Sequence, residues 1–239
     1  METKTLLGGR LLWSAHAHNP PEDGLWLAAA VPTLPKGAHV LDIGCGAGLV
    51  ALALGTRVPH VILQGVEIDA QTAQLARENA SLNRIPLGVH HADITTWHPP
   101  HMYQAVLSNP PFHAQARGHT SPNATRNRSH SMPEGLLTQW LDTAATCLAP
   151  GGRVYLVVHA ACRPELDGYA HTRGGGWQWA PLATHAVRPA KRLLVCWQPQ
   201  AERQSLALPH VCAFHPEVRH QVLHEGRGLD VFTEGPHLR

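Results

Sequence analysis

Ser108-Asn109-Pro110-Pro111-Phe112 brings together the atoms needed to hold a flat amino group. An exocyclic amine on an aromatic ring is planar, and its lone pair is delocalised into the ring. To make it a nucleophile, a protein must accept hydrogen bonds from both N–H groups and hold the nitrogen pyramidal. The side-chain oxygen of Asn109 and the backbone carbonyl of Pro110 can do this. Pro110 and Pro111 stiffen the backbone and fix where those oxygens point. Phe112 offers a ring face on which a base can stack. A carboxamide nitrogen makes the same demand, so the run alone does not choose between a nucleobase and a glutamine side chain.

A second group of residues supplies a cradle for the other reactant. Leu41-Asp42-Ile43-Gly44-Cys45-Gly46-Ala47-Gly48 reads as the end of a strand, a tight glycine turn and the start of a helix. Gly44, Gly46 and Gly48 allow the chain to turn sharply and to approach a ligand closely, with Asp42 and Cys45 beside them. A dinucleotide fingerprint would need glycine at position 49, where Leu49 stands. That spacing turns the reading away from NAD and toward S-adenosylmethionine, whose amino-acid moiety, not a pyrophosphate, meets the loop. Glu67 ends the next strand, 23 residues after Gly44, and its carboxylate can accept from both ribose hydroxyls. Ile68 lies beside it. Asp93 follows the third strand and can accept from an adenine amino group, with Ile94 packing on the ring. Methyl transfer to an amine nitrogen is the chemistry that joins the two groups.

These residues need a scaffold that brings them to one edge. The hydrophobic pattern predicts helices over 23–30, 49–58, 70–82 and 136–148, with another over 163–172. Asp23 is placed to cap the first. Strands are expected over 39–43, 61–67, 87–91, 103–107, 153–158, 177–183 and 192–197. Residues 1–20 read as irregular, and 113–131 as a mobile loop. Positions 211–214 and 231–232 read as a further strand or edge segment. Trp177 and Trp179 fall on one face of their strand, where core packing is favoured over base stacking. Alternation of strand and helix with glycine-rich turns specifies an α/β fold: a Rossmann-like, doubly wound, mostly parallel seven-stranded sheet closed by a C-terminal antiparallel hairpin. The whole of 1–239 is expected to form a single domain, with 1–38 as an N-terminal extension and helix.

Composition bounds the partners. Only 15% of the 239 residues are charged and the net charge is +2, so a nucleic-acid partner must meet a local basic patch. Arg126 and Arg128 in the loop, with Arg117, and Lys191 and Arg192 before a late strand, with Arg188, are the candidates for RNA phosphates. Five scattered cysteines without a Cys-x-x-Cys suggest neither disulfides nor zinc and fit a reducing cytoplasm. The 19 histidines include His220 and His224 on one helix face, with His215 near them, but no carboxylate or cysteine stands at a convincing ligand spacing, and no metal is expected. Neither a signal peptide nor a membrane span is read.

At these motifs the chain resembles class I S-adenosylmethionine-dependent methyltransferases, and more narrowly the bacterial tRNA1(Val) adenine N6-methyltransferase family. The resemblance extends over Leu7-Gly8-Gly9-Arg10, Glu22–Ala30, Leu41–Gly48, Val66-Glu67, Ala92-Asp93-Ile94, Ser108–Phe112 and Pro189–Val195. It implies a cofactor contact at Asp23 and an adenosine in a tRNA anticodon loop as substrate. Two positions depart from the family: Glu22 stands where threonine is usual, and His113 where an aromatic residue often follows. An Asn-Pro-Pro-Phe-His run is also similar to ribosomal RNA guanine N2-methyltransferases, and Asn-Pro-Pro-Tyr/Phe to glutamine N5-methyltransferases of release factors. The latter usually carry an additional N-terminal helical domain, and here about 38 residues precede the first expected Rossmann strand, which favours RNA.

Overall fold

The computed structural model describes residues 3–14, 17, 20–110 and 135–232. The expected loop 113–131 and the candidates Pro111, Phe112, Arg117, Arg126 and Arg128 lie outside the described residues.

The chain begins with a small antiparallel hairpin where irregular structure was expected. β1 (Thr3–Leu6) and β2 (Leu11–Ser14) pair from Thr3↔Ser14 to Leu6↔Leu11. The reversal between them uses left-handed backbone at Leu7, Gly8 and Gly9. Leu11 and Trp13 are buried at 0% and 3% exposure, on the face turned to the protein.

The Rossmann elements follow: α1 (Glu22–Ala30), β3 (His39–Ile43), α2 (Leu49–Arg57), β4 (Ile62–Glu67), α3 (Ala70–Asn83), β5 (Leu87–His91) and β6 (Tyr103–Ser108). The C-terminal half holds α4 (Leu136–Cys147), β7 (Leu148–His159), α5 (Arg163–Arg173), β8 (Gly176–Ala183), β9 (Arg192–Gln198), β10 (Gln204–Ala207), β11 (Val211–Cys212) and α6 (Pro216–Leu223). Asp69 caps α3 by accepting from the Thr72 amide at 2.8 Å. Asp23 does not cap α1. Pro21 occupies the N-cap position, without a side-chain cap bond, and Asp23 lies in the first turn.

The main sheet runs β5-β4-β3-β6-β7-β9-β8-β10, with β11 also on β8. β9 is antiparallel to both β7 and β8, and the other pairs in this sheet are parallel. The expected α/β class and the late hairpin are present. The main sheet has nine strands among the described residues, not seven, because β10 and β11 cover the outer edge of β8. β10 is wholly exposed and four residues long, too short to show a burial period.

Apolar side chains fill both faces of the sheet. One cluster joins α1, α2 and the N-terminal hairpin to the upper face, and another joins α4 and α5 to the lower. A glycine admits the close packing of α1 on α2, since a Cβ on Gly24 of α1 would lie 2.9 Å from Leu49 of α2. Trp177 and Trp179 are core residues at 1% exposure. Trp177 stacks between Trp179 and Trp197 with centroids 5.2 and 5.0 Å away, and the indoles of Trp177 and Trp197 both donate to the Gly174 carbonyl at 3.1 Å.

The order of strands creates one opening. From β3 the chain builds outward through β4 and β5, then returns to lay β6 on the other side of β3. The segments that leave β3 and β6 therefore part from one another, and a crevice opens at the carboxyl ends of these two strands. Gly44–Gly48 leaves β3 and Asn109-Pro110 leaves β6, so both groups of candidate residues border that crevice.

Candidate active site at the β3/β6 switch point

β3 and β6 are in register through Ile43↔Ser108, the last residues of the two strands. Ser108 is 2% exposed, and its hydroxyl donates to the Ile43 carbonyl at 2.9 Å. This bond joins the strand end before the glycine loop to the one before Asn109. The motif reading assigned Ser108 no role of its own, because only the three-dimensional register places it against Ile43.

The glycine loop is held by its own backbone and by one carboxylate. Gly44, Gly46 and Gly48 all have left-handed φ, at 65°, 56° and 90°. A Cβ at Gly44 would lie 2.8 Å from the ring of Trp140 on α4, so the indole packs directly on the loop. Among the described residues, nothing lies within 4 Å of where a Cβ of Gly46 would point. That open space above a tight turn suits a ligand's close approach. Cys45 turns inward, with its sulfur 2.7 Å from the position of a Cβ on Gly65. Burial first, then the charges of Asp42 and Glu67, hold its thiol well above the usual range, so Cys45 serves the loop through its backbone.

Glu67 is gripped from two sides. Oε2 accepts from the Gly46 amide and Oε1 from the Asp69 amide, each at 2.9 Å. A carboxylate oxygen can accept more than one bond, so the pair of oxygens is oriented and retains capacity for ribose hydroxyls. Ile68, next in sequence, is 63% exposed, and its carbonyl is 3.2 Å from His91 Nε2. Ile94 is 7% exposed and packs into the lower core. Ile68 is thus the exposed apolar side chain of the two at this end of the sheet. Asp93 accepts through Oδ1 from the amide and hydroxyl of Thr95, at 2.9 and 2.8 Å, which organises the turn after β5.

Asp42 faces inward. It is 1% exposed, and Oδ2 accepts from the Ala51 amide in the first turn of α2 at 3.2 Å, while Oδ1 is buried without a partner among the described residues. Its carboxyl is pushed up to about 7, chiefly by desolvation, with the Ala51 bond opposing and the Glu67 charge adding. Asp42 thus anchors the helix that begins at Gly48.

Asn109 is half-buried, yet its side-chain oxygen Oδ1 is buried and has no hydrogen-bond partner among the described residues. Pro110 beside it is buried. A buried carbonyl oxygen without a partner costs about 1–3 kcal/mol. A donor arriving with a substrate would recover that cost.

The basic candidates separate. Arg192 is paired: its Nε donates to Asp23 Oδ2 at 2.7 Å, with the two side chains 26% and 23% exposed. This joins α1 to the start of β9 across 169 positions. Lys191 is exposed at the base of the β8–β9 turn. Its carbonyl accepts from the Ala160 amide at 2.9 Å. Among the described residues, no three His, Cys, Asp or Glu side chains form a metal-holding group, and no helix is long and apolar enough to cross a membrane. His220 and His224 stack at 5.1 Å on α6 and the residue after it.

Two outcomes follow from this geometry. Glu67→Ala weakens S-adenosylmethionine binding by about 1.5–3 kcal/mol, as expected for bonds to a charged group; calorimetric titration with an unchanged Kd would remove Glu67 from the site. The second concerns pH. Because folding raises the Asp42 carboxyl from 3.8 to about 7, the folded chain keeps a proton that the unfolded chain releases, and stability from this group falls as pH rises across that interval. Asp42→Asn keeps an oxygen for the Ala51 amide and has no proton to lose. Its unfolding midpoint in urea, relative to the native chain, should rise between about pH 5 and about pH 8; a constant difference would show that Asp42 is ionised throughout.

The comparisons with known proteins agree with the crevice. The model of the methyltransferase small domain matches residues 26–166. The tRNA1(Val) (adenine(37)-N6)-methyltransferase of Cronobacter sakazakii is 34% identical over 189 residues, 74% of each chain, and that of Erwinia tasmaniensis 31% identical over 185 residues, again 74% of each. Among solved structures, a predicted O-methyltransferase from Agrobacterium tumefaciens superposes with a TM-score of 0.68 at 21% identity, covering 86% of this chain and 97% of its own. A putative class I S-adenosylmethionine-dependent methyltransferase from Listeria monocytogenes superposes with a TM-score of 0.57 at 18% identity, covering 87% and 71%. These two share the fold. The chain is a methyltransferase of the small-domain family and belongs within it to the bacterial tRNA1(Val) adenine N6-methyltransferases.

Proposed function

We propose that this protein transfers the methyl group of S-adenosylmethionine to the exocyclic N6 of an adenosine in tRNA, in the cytoplasm. The observation that carries the reading is the buried Oδ1 of Asn109 at the switch point, without a partner among the described residues and one residue from the Ser108–Ile43 bond. The names of the curated relatives, which act on adenine 37 of tRNA1(Val), support the choice of adenine over guanine or glutamine.

The residues fit the cofactor. Gly46 leaves open space, Glu67 is oriented by two amides, and Ile68 is bare at the strand end. Asp23 is held to Arg192, so any contact it makes with a ligand is made from within that pair. When bound, S-adenosylmethionine supplies an electrophilic methyl group, whose bond to sulfur breaks as the bond to nitrogen forms. Asn109 Oδ1 accepts one N–H of the target amine, and the Pro110 carbonyl is placed by sequence to accept the other. Holding both draws the nitrogen out of the ring plane and aims its lone pair into the crevice. After transfer the nitrogen sheds a proton to water, so no side-chain base is required. Phe112 is assigned to stack on the base once it is turned out of its RNA context.

The β8–β9 turn is the described segment best suited to RNA. β9 begins with Arg192 opposite His159 at the carboxyl end of β7, which is the crevice end of the sheet. Residues 168–201 contain no Asp or Glu, and the turn carries exposed Arg188 and Lys191 around Val187, which is 93% exposed. With Arg192 held by Asp23, Lys191 is the stronger phosphate candidate of the neighbouring pair. Arg126 and Arg128 remain candidates from sequence.

Labelled S-adenosylmethionine, the purified protein and total RNA from a strain lacking it, followed by nucleoside analysis, decide the acceptor. N6-methyladenosine in tRNA is expected. N2-methylguanosine, or label in protein alone, would replace the reading with one of its alternatives. Asn109→Ala should leave cofactor binding intact and slow single-turnover transfer by about 10²-fold or more, as for loss of one preorganised contact; native rates would reduce the motif to a turn. Lys191→Ala should lower the salt slope of RNA binding by about one unit, and an unaltered slope would place Lys191 away from phosphate.

A further inference from the structure

The N-terminal hairpin is tied to α3 by two asparagines one turn apart. Asn83 treats β2 as a neighbouring strand would: its Oδ1 accepts from the Leu12 amide at 2.7 Å and its Nδ2 donates to the Leu12 carbonyl at 2.8 Å. Asn79 divides its amide between two segments. Oδ1 accepts from the Ser14 amide at 2.9 Å, and Nδ2 donates to the Ala47 carbonyl at 3.0 Å. Hairpin and glycine loop therefore meet across one side chain.

Asn79 is 0% exposed, on the face of α3 that buries Ala73, Ala76 and Ala80. A buried amide is costly unless both of its ends are bonded, and these two bonds exist together only when hairpin and loop are both in place. The bond to Ala47 also acts at a sensitive point. The Ala47 carbonyl and the Gly48 amide belong to one peptide plane, and the Gly48 amide donates to the Cys45 carbonyl at 2.9 Å. Asn79 secures the other end of the same plane. The plane adjoins the left-handed φ of Gly48, a torsion that glycine leaves free to rotate. Rotation of the plane would disturb the turn that presents the Gly46 amide to Glu67 and that starts α2.

We propose that Asn79 is a positioning residue for the cofactor loop, and that the N-terminal hairpin acts through it as a clasp, keeping the 47–48 peptide in its ligand-binding orientation. The proposal rests on the assignment of that loop to S-adenosylmethionine. It gives the hairpin a part in the site although none of its side chains need touch the ligand. Coupling of this kind is reciprocal, so a ligand in the loop must also steady the hairpin.

Titration with S-adenosylhomocysteine, well below each variant's unfolding midpoint, separates a clasp from simple stabilisation. Asn79→Ala should weaken binding by about tenfold or more. Asn83→Ala removes only the tie at Leu12 and leaves the path from Ser14 through Asn79 to Ala47 intact, so it should change binding less than about twofold. Asn79→Asp retains an acceptor for Ser14 but sets an oxygen against the Ala47 carbonyl, and should weaken binding at least as much as the alanine. Equal affinities for the Asn79 and Asn83 variants would overturn the clasp. If the Asn79 variants do not fold, hydrogen exchange on the native chain decides: the ligand should slow exchange of the Ser14 amide, and an unchanged rate there overturns the proposal. Failure of the native chain to bind S-adenosylhomocysteine would instead remove the cofactor assignment. The clasp would then be judged by the Gly48 amide, which should exchange faster in Asn79→Ala than in Asn83→Ala; equal rates would overturn it.

Discussion

The site depends on the reversal of direction at β3. A sheet whose strands followed one another in a single direction would send every connecting segment the same way and leave no gap between neighbours. Here β4 lies on one side of β3 and β6 on the other, so two adjacent strands release their segments in opposite directions. The glycine loop and the Asn109 motif are distant in sequence but leave from paired residues, Ile43 and Ser108. Their separation is therefore governed by ordinary sheet spacing, of about 4.7–4.9 Å between strands, with the Ser108–Ile43 bond reinforcing it. No flexible element intervenes between the two strand ends.

Polar groups are spent where this crevice has to be held. Ser14, Asp42, Asn79 and Ser108 are the buried polar side chains among the described residues. Asp42 fixes the start of α2, Asn79 ties the loop to the hairpin at Ser14, and Ser108 joins the two strand ends. Elsewhere the interior is apolar, and stability comes from packing such as the stack of Trp177, Trp179 and Trp197. Buried hydrogen bonds add little net stability but are expensive to break. That asymmetry suits them to fixing geometry.

Much of this was readable in the sequence. The strands at 39–43 and 87–91 and the helices after each glycine or acidic turn follow from hydrophobic period and breaker residues, which act locally. The glycine loop, Glu67 and Asn109 stand out in the sequence because their spacing carries chemistry, and the fold sets them at neighbouring strand ends. What escaped was decided by distant partners. The β1–β2 hairpin is two strands of four residues, and its bonds to Asn79 and Asn83 come from a helix about 65–71 residues away. The pairing of Asp23 with Arg192 joins residues 169 positions apart and has no local signal, whereas the local pattern had suggested Asp23 as a cap, a place that Pro21 takes. Asp42 stands within a recognisable motif, but nothing in the motif states that its side chain turns from the crevice toward α2.

The proposed role of Asn109 gives a reason for an acceptor without a partner among the described residues. An acceptor that is already bonded in the free protein must lose that bond before it can hold an amine, and the exchange would gain little. An acceptor exposed to water would be solvated with the same result. Oδ1 of Asn109 is buried and unpaired among the described residues, so on the proposed reading its bonding capacity is held for the target amine, at a cost to the folded chain. The neighbouring polar contacts make that cost tolerable, because they fix the strand ends that carry it. A planar amine can bond this oxygen in its ground state, but as the nitrogen becomes pyramidal and gains positive charge its N–H becomes a stronger donor. The interaction then strengthens toward the transition state, which is the condition under which a hydrogen bond raises a rate rather than only an affinity.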